Sequence, residues 1–299
     1  MRYLSKESFE KARKWIEGNG RPLEKARLGF YFYGAKGSEV LSALKAFQNE
    51  DGGFGLALEP DLRTPESSVL ATSIAFQILK SLPAEQSAGE ISFLAVQFLL
   101  HNYDSGQTSW RIIPKSAEKS PHAPWWDQVG KEDHFFGFHL NPTAEILGYL
   151  PKINSALGEK VLFELKNLRE IEMHDFLCCK RLFESTNLDN LFRESLLAEL
   201  KRLLNTCVVT DSSKWSGYGL RPLQVADSPD SIFFERLQKP VEENLDHEID
   251  TQDESGAWLP TWSWGDKSPD DWEKAKTEWA GIITLEKLIQ LKRFGRIEN

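Results

Sequence analysis

Cysteine is scarce in this sequence, with three in 299 residues and two of them adjacent at Cys178 and Cys179. Such a set builds no disulfide framework and fits a reducing compartment. No apolar run approaches the roughly 18 residues needed to cross a bilayer, and the segment from Met1 to Ser8 lacks the apolar core of a secretory leader. A cytoplasmic protein without stable membrane insertion is therefore expected. Cations are outnumbered, 36 Lys and Arg against 45 Asp and Glu for a net charge of -9. With no basic stripe to displace counterions from phosphates, a nucleic-acid partner is not expected. Also missing are a Gly-x-Ser-x-Gly elbow, a Walker-type phosphate loop and a dinucleotide fingerprint, and neither a cofactor nor a metal is expected. His174 and Cys178 stand four residues apart, a spacing able to place two ligands on zinc, but paired cysteines in an apolar helix read more simply as core.

What is present is helical periodicity, rich aromatic content (ten Trp, 18 Phe) and recurrent glycine turns. Apolar spacing near 3.6 residues predicts helices over about 5–18, 22–34, 37–48, 66–81, 86–101, 141–150, 155–171, 173–185, 189–207, 240–250 and 269–293. An irregular element is expected near 218–236, where Pro222, Pro229 and then Pro240 break the pattern. Thr64 is the expected N-cap of the fourth helix, with Pro65 in its first turn. Acidic turns recur at Asp51, Asp104, Asp211 with Trp215, and Asp253 with Gly256 and Trp258, and a degenerate member is expected at Glu170 to His174. Self-similarity of this kind implies stacked helical hairpins sharing a core.

The best-formed turn reads Gln48, Asp51, Gly52, Gly53, Phe54. It resembles the repeats of the terpenoid cyclase and protein prenyltransferase (squalene cyclase-like) toroids, in which an outer helix ends in Gln and an acidic Gly-Gly turn before an aromatic residue and an inner helix. The resemblance implies an all-α fold, an (α/α)6 toroid of about six hairpins, with residues 1–299 as a single domain and the aromatic loop 102–141 as lid or cap. It implies an enzyme acting on a mostly apolar, isoprenoid-type small molecule in an aromatic-lined central cavity. The chain lacks the Asp-x-Asp-Asp motif of class II cyclases and the Asp-x-Cys of zinc prenyltransferases, and Glu278 stands where the zinc histidine of the latter would be expected.

In such a toroid the N-termini of inner helices converge on one rim, and that geometry selects the candidates, Asp175 and Asp230 among them. Glu59, Asp61, Glu66 and Glu278 are the expected acid/base residues. Arg63, Asn141, Glu145 and His174 are expected to contact substrate, together with Trp125, Trp126 and His139 of the long loop and Trp258 and Trp262 of the last turn. Carboxylates at helix N-termini also serve as caps, so each acid has a purely structural alternative. The same inventory of Trp and acids fits a carbohydrate-active toroid, a hydrolase or lyase, and a binding protein that kept the barrel without activity.

Overall fold

The computed structural model describes residues 1–84, 89–131, 133–152 and 155–298, and most of the expected helices recur in it within a few residues. The chain is 58% helical, well above an average soluble domain, with twelve α-helices among the described residues, so it is an all-α protein. In chain order these are α1 (Lys6–Asn19), α2 (Pro22–Tyr33), α3 (Gly37–Lys45), α4 (Val69–Lys80), α5 (Glu90–His101), α6 (Leu140–Tyr149), α7 (Ser155–Asn167), α8 (Met173–Phe183), α9 (Asn190–Cys207), α10 (Pro222–Val225), α11 (Phe234–Asp250) and α12 (Pro269–Arg293). Strands β1 (Tyr103–Asp104) and β2 (Ser109–Trp110) form a short antiparallel ribbon. No helix among the described residues is long and apolar enough to cross a membrane.

Two compact units divide the chain, Met1–Ala43 with Val208–Asn299, and Leu44–Cys207. In the first, α12 packs against α1 and α2. The ends of its two segments are clasped, Leu4 N–H donating to Arg296 O (2.8 Å) and Glu298 N–H to Leu4 O (3.0 Å). Arg296 is buried and its guanidinium bonds Arg2 O and Glu242, each at 2.6 Å, and Asp246. In the second unit, α6 and α8 are the most intimate pair. Gly148 permits their approach, since a Cβ there would stand 3.0 Å from Ser185 Cβ and 3.4 Å from Leu182 Cα.

The acidic glycine turn is one device used in both units. Gln48 Nε2 donates to Gly52 O and Ile91 O, and Gln252 Nε2 to Gly256 O and Ser8 O, all at 2.9 Å. Gly52 (φ 87) and Gly256 (φ 96) then press on a neighbouring helix, where a Cβ would meet Leu94 O at 2.4 Å and Lys11 C at 2.5 Å. In both cases that contact lies three residues past the carbonyl held by the glutamine. The aromatic that follows enters the next helix in the same way, Phe54 N–H donating to Thr72 Oγ1 (3.0 Å) and Trp258 N–H to Thr284 Oγ1 (2.9 Å).

The long loop 102–141, of which residue 132 lies outside the described residues, is packed into the second unit. Ile112, Ile113, Ala117 and Phe135 form a buried cluster with Leu62 and Leu70, and Trp126 packs against it. Several expected boundaries differ, the helices expected over 37–48 and 155–171 ending at Lys45 and Asn167. The helix expected from residue 66 begins at Val69, because a bridge to Phe54 holds Ser68 extended and Ser68 Oγ accepts from Ala71 N–H (2.9 Å). Thr64 instead closes a turn, its Oγ1 accepting from Glu66 N–H (3.3 Å). The irregular stretch resolves into α10 and the start of α11, which runs through Pro240. Pro240 removes one ladder bond in the second turn, while the row Leu237, Val241 and Leu245 buries the apolar face that offsets the loss. The expected helix 86–101 starts on residues outside the described ones and is seen as α5.

Candidate functional site

Polar side chains converge between α4, α6 and α8 of the second unit. Asn141 opens α6 in an extended conformation (φ -93, ψ 119), as a residue before proline does, and the Asn141–Pro142 bond is cis. Its N–H donates to Asp175 Oδ1 at 3.0 Å. One turn on, Glu145 is 1% exposed. Its Oε2 accepts from Arg181 Nη1 at 2.8 Å, and Gln77 Nε2 lies 3.1 and 3.2 Å from its two oxygens. Tyr149 OH stands 3.5 Å from the same carboxylate, its ring stacked on Phe76 at 4.9 Å. Burial opposes charge on Arg181, but Glu145 outweighs it and holds the guanidinium charged. Burial, with Glu145 adding to it, raises the Tyr149 hydroxyl and the Cys178 thiol well above their ordinary values, so both stay protonated. Cys178 Sγ faces Asn141 Oδ1 at 3.5 Å as a neutral neighbour, not as a zinc-ready thiolate.

The titratable edge of the site is made by the start of α8. Glu172 caps that helix, accepting from His174 N–H (2.6 Å) and Asp175 N–H (3.4 Å). Its charge therefore faces Asp175. Burial first, then Glu172, lifts the Asp175 carboxyl to about 6, against the pull of the Asn141 N–H. His174 is exposed, and what burial its ring has lowers its pKa against the opposing charge of Glu172. An acid raised and an imidazole lowered, side by side, are set apart from their usual values in the directions that general acid/base catalysis needs.

The other candidates are distributed. Glu59 and Asp61 are buried in a segment that bridges the long loop, Arg63 N–H donating to Pro121 O (3.0 Å) and Ala123 N–H to Asp61 O (2.9 Å). Leu56 and Ala57, just before them, hold left-handed φ values of 55 and 59, which costs about 1–2 kcal/mol per residue. Arg63 Nη1 lies 3.4 Å from Pro60 O. Glu66 is exposed on an open groove of about 1100 Å³ and accepts from Ser116 Oγ. Trp125 is 44% exposed, Trp126 lies 5.6 Å from Phe135, and His139, at the N-cap of α6, has its pKa lowered by burial and then by His134. In the first unit, Trp258 is buried with its indole N–H on Glu248 O (2.7 Å). Trp262 is half-buried and stands edge-on to Trp279 (5.1 Å) and Tyr218 (5.9 Å). Glu278, beside Trp279 on α12, is also half-buried.

Of the expected set, the structure brings together Asn141, Glu145, His174 and Asp175. Sequence reasoning did not single out Gln77, Tyr149 and Arg181. Signals existed: Gln77 is the polar interruption near the end of the apolar α4, and Tyr149 and Arg181 follow Glu145 and His174 at one and two helical turns, on the same faces. No family model, curated protein or solved structure matches this chain, so function is read from the residues themselves.

Proposed function

We propose that the protein is an enzyme of acid/base type acting on a small, mostly apolar molecule of isoprenoid class, with its chemistry at the junction of α6 and α8. The observation that carries the acid/base part of this reading is the placement of Asp175, its Oδ1 on the Asn141 N–H at 3.0 Å and its carboxyl lifted to about 6 by burial and then by Glu172, beside His174. In this reading Asp175 donates or withdraws the proton, His174 takes the complementary part, and the Glu145–Arg181–Gln77 cluster fixes α8, which carries both, against α6 and α4. Arg181 is neutralised by Glu145, which favours an uncharged apolar substrate over one anchored there by a diphosphate. The proposal includes an α/α-toroid arrangement of the hairpins and a cytoplasmic location without nucleic-acid partners. Support for the toroid comes from the repeated glutamine–glycine turn, whose last copy follows α11 and bonds Ser8 of α1.

The test is a thermal-shift screen with neutral polyprenes, polyprenyl diphosphates and oligosaccharides, followed by turnover assays on whatever binds. Asp175→Asn is expected to lower turnover at least about 100-fold while keeping or raising the melting midpoint. Full activity in that variant would refute the assignment. Binding of sugars alone would transfer the site to carbohydrate chemistry, and binding without turnover would leave a ligand-binding protein.

A further inference from the structure

We infer that Glu118, His122 and Asp127 of the long loop form a binding site for one divalent transition-metal ion, zinc by ligand type. Their ligating atoms all lie within 4.8 Å of one another. His122 is 3% exposed, and its Nδ1 is 2.6 Å from Ser120 O. A carbonyl only accepts, so Nδ1 carries the proton, the backbone-locked tautomer typical of metal-bound histidine. Nε2 then faces two acceptors among the described residues, Asp127 Oδ1 at 3.1 Å and Glu118 Oε2 at 3.9 Å.

A cation between these atoms would be held by all three. A second ring proton has a single direction and serves Asp127, leaving Glu118 beyond hydrogen-bond reach. A metal ion serves both. Ligands about 2.0–2.1 Å from a tetrahedral zinc stand about 3.3 Å apart, which falls between the two observed separations. Two carboxylates and a neutral imidazole balance a divalent charge, and the 29% and 39% exposure of the Glu118 and Asp127 side chains leaves room for a water ligand. Glu118 is already oriented, its Oε2 accepting from Gln128 N–H at 2.6 Å.

The backbone gives the ion a purpose. His122 pairs with Leu62 in an antiparallel bridge, flanked by the Ala123 N–H to Asp61 O bond and the Arg63 N–H to Pro121 O bond. Bound metal would fasten the loop to the segment that carries Glu59, Asp61 and Arg63.

The experiment is calorimetric titration of the EDTA-treated 299-residue chain with Zn²⁺ and Mn²⁺, with hydrogen exchange at the Ala123 amide as a second readout. Uptake of one Zn²⁺ per chain is expected, with slower exchange at Ala123 and at least a tenfold loss of affinity in Asp127→Asn. His122→Ala should abolish uptake. If that variant fails to fold, the partly exposed Asp127 still decides the question. Absence of stoichiometric uptake, or unchanged affinity in Asp127→Asn, would overturn the site.

Discussion

Asp175 titrates in a window where its folded and unfolded forms differ. Its carboxyl is held at about 6 in the fold and near 3.9 in an unfolded chain. Between those values the folded state binds the extra proton, so this residue makes stability fall as pH rises from about 4 to 6. The loss is at most about 3 kcal/mol and is complete above the folded pKa. Asp175→Asn should remove that decline, measured by urea unfolding at pH 4 and pH 7. Glu172 offers a finer check, because its negative charge raises both Asp175 and His174. Glu172→Gln should therefore move both titrations downward in an NMR pH series. A rise in either would show that Glu172 is not the charge they feel.

The repeated turn concentrates its cost in two glycines. Gly52 and Gly256 combine positive φ with backbone atoms 2.4 and 2.5 Å from any added Cβ, so Ala at either position should destabilise by about 3 kcal/mol or more. Gly34 is the control, with φ 69 and nothing within 4 Å, and Ala there should cost only about 1 kcal/mol. Equal losses at all three in chemical denaturation would mean that φ alone, and not the helix approach, sets the requirement. These turns were legible in the sequence because their chemistry is local: Asp51, Gly52 and Phe54 lie within one short stretch, and Asp253, Gly256 and Trp258 repeat it, while the matching role of Gln252 emerged only from its bonds to Ser8 and Gly256. Helix identity was legible for the same reason. Pro240 misled because a buried apolar row, a tertiary effect, outweighed a local rule. The cluster between α4, α6 and α8 was legible only in part. Asn141, Glu145, His174 and Asp175 were selected as helix starts, but Arg181 and Gln77 matter only through Glu145, on another helix. Asp127 joins His122 only once the loop has folded back on itself.

At the scale of the whole molecule, the two units differ in how the chain reaches them. Leu44–Cys207 is one continuous stretch, and its densest pairing, α6 with α8, joins helices separated in sequence by α7 alone. The other unit needs Met1–Ala43 to meet Val208–Asn299, which closes a loop of roughly 160 residues. Compared with a loop of about 40 residues, that closure costs about 1.2 kcal/mol more, or close to tenfold in rate if it is paid in the transition state. The clasp of Leu4 with Arg296 and Glu298, and the docking of α12 on α1, cannot form before closure. Pulse-labelled hydrogen exchange during refolding should therefore protect amides of α6 and α8 first and those of α1 and Leu4 about tenfold later. Arg296→Met, which removes the buried guanidinium held by Glu242 and Asp246, should weaken the late protection at Leu4 while leaving the early phase at α8 unchanged. Simultaneous protection of α1 and α8 would show instead that Met1–Ala43 is captured early, before the chain between the two segments has folded.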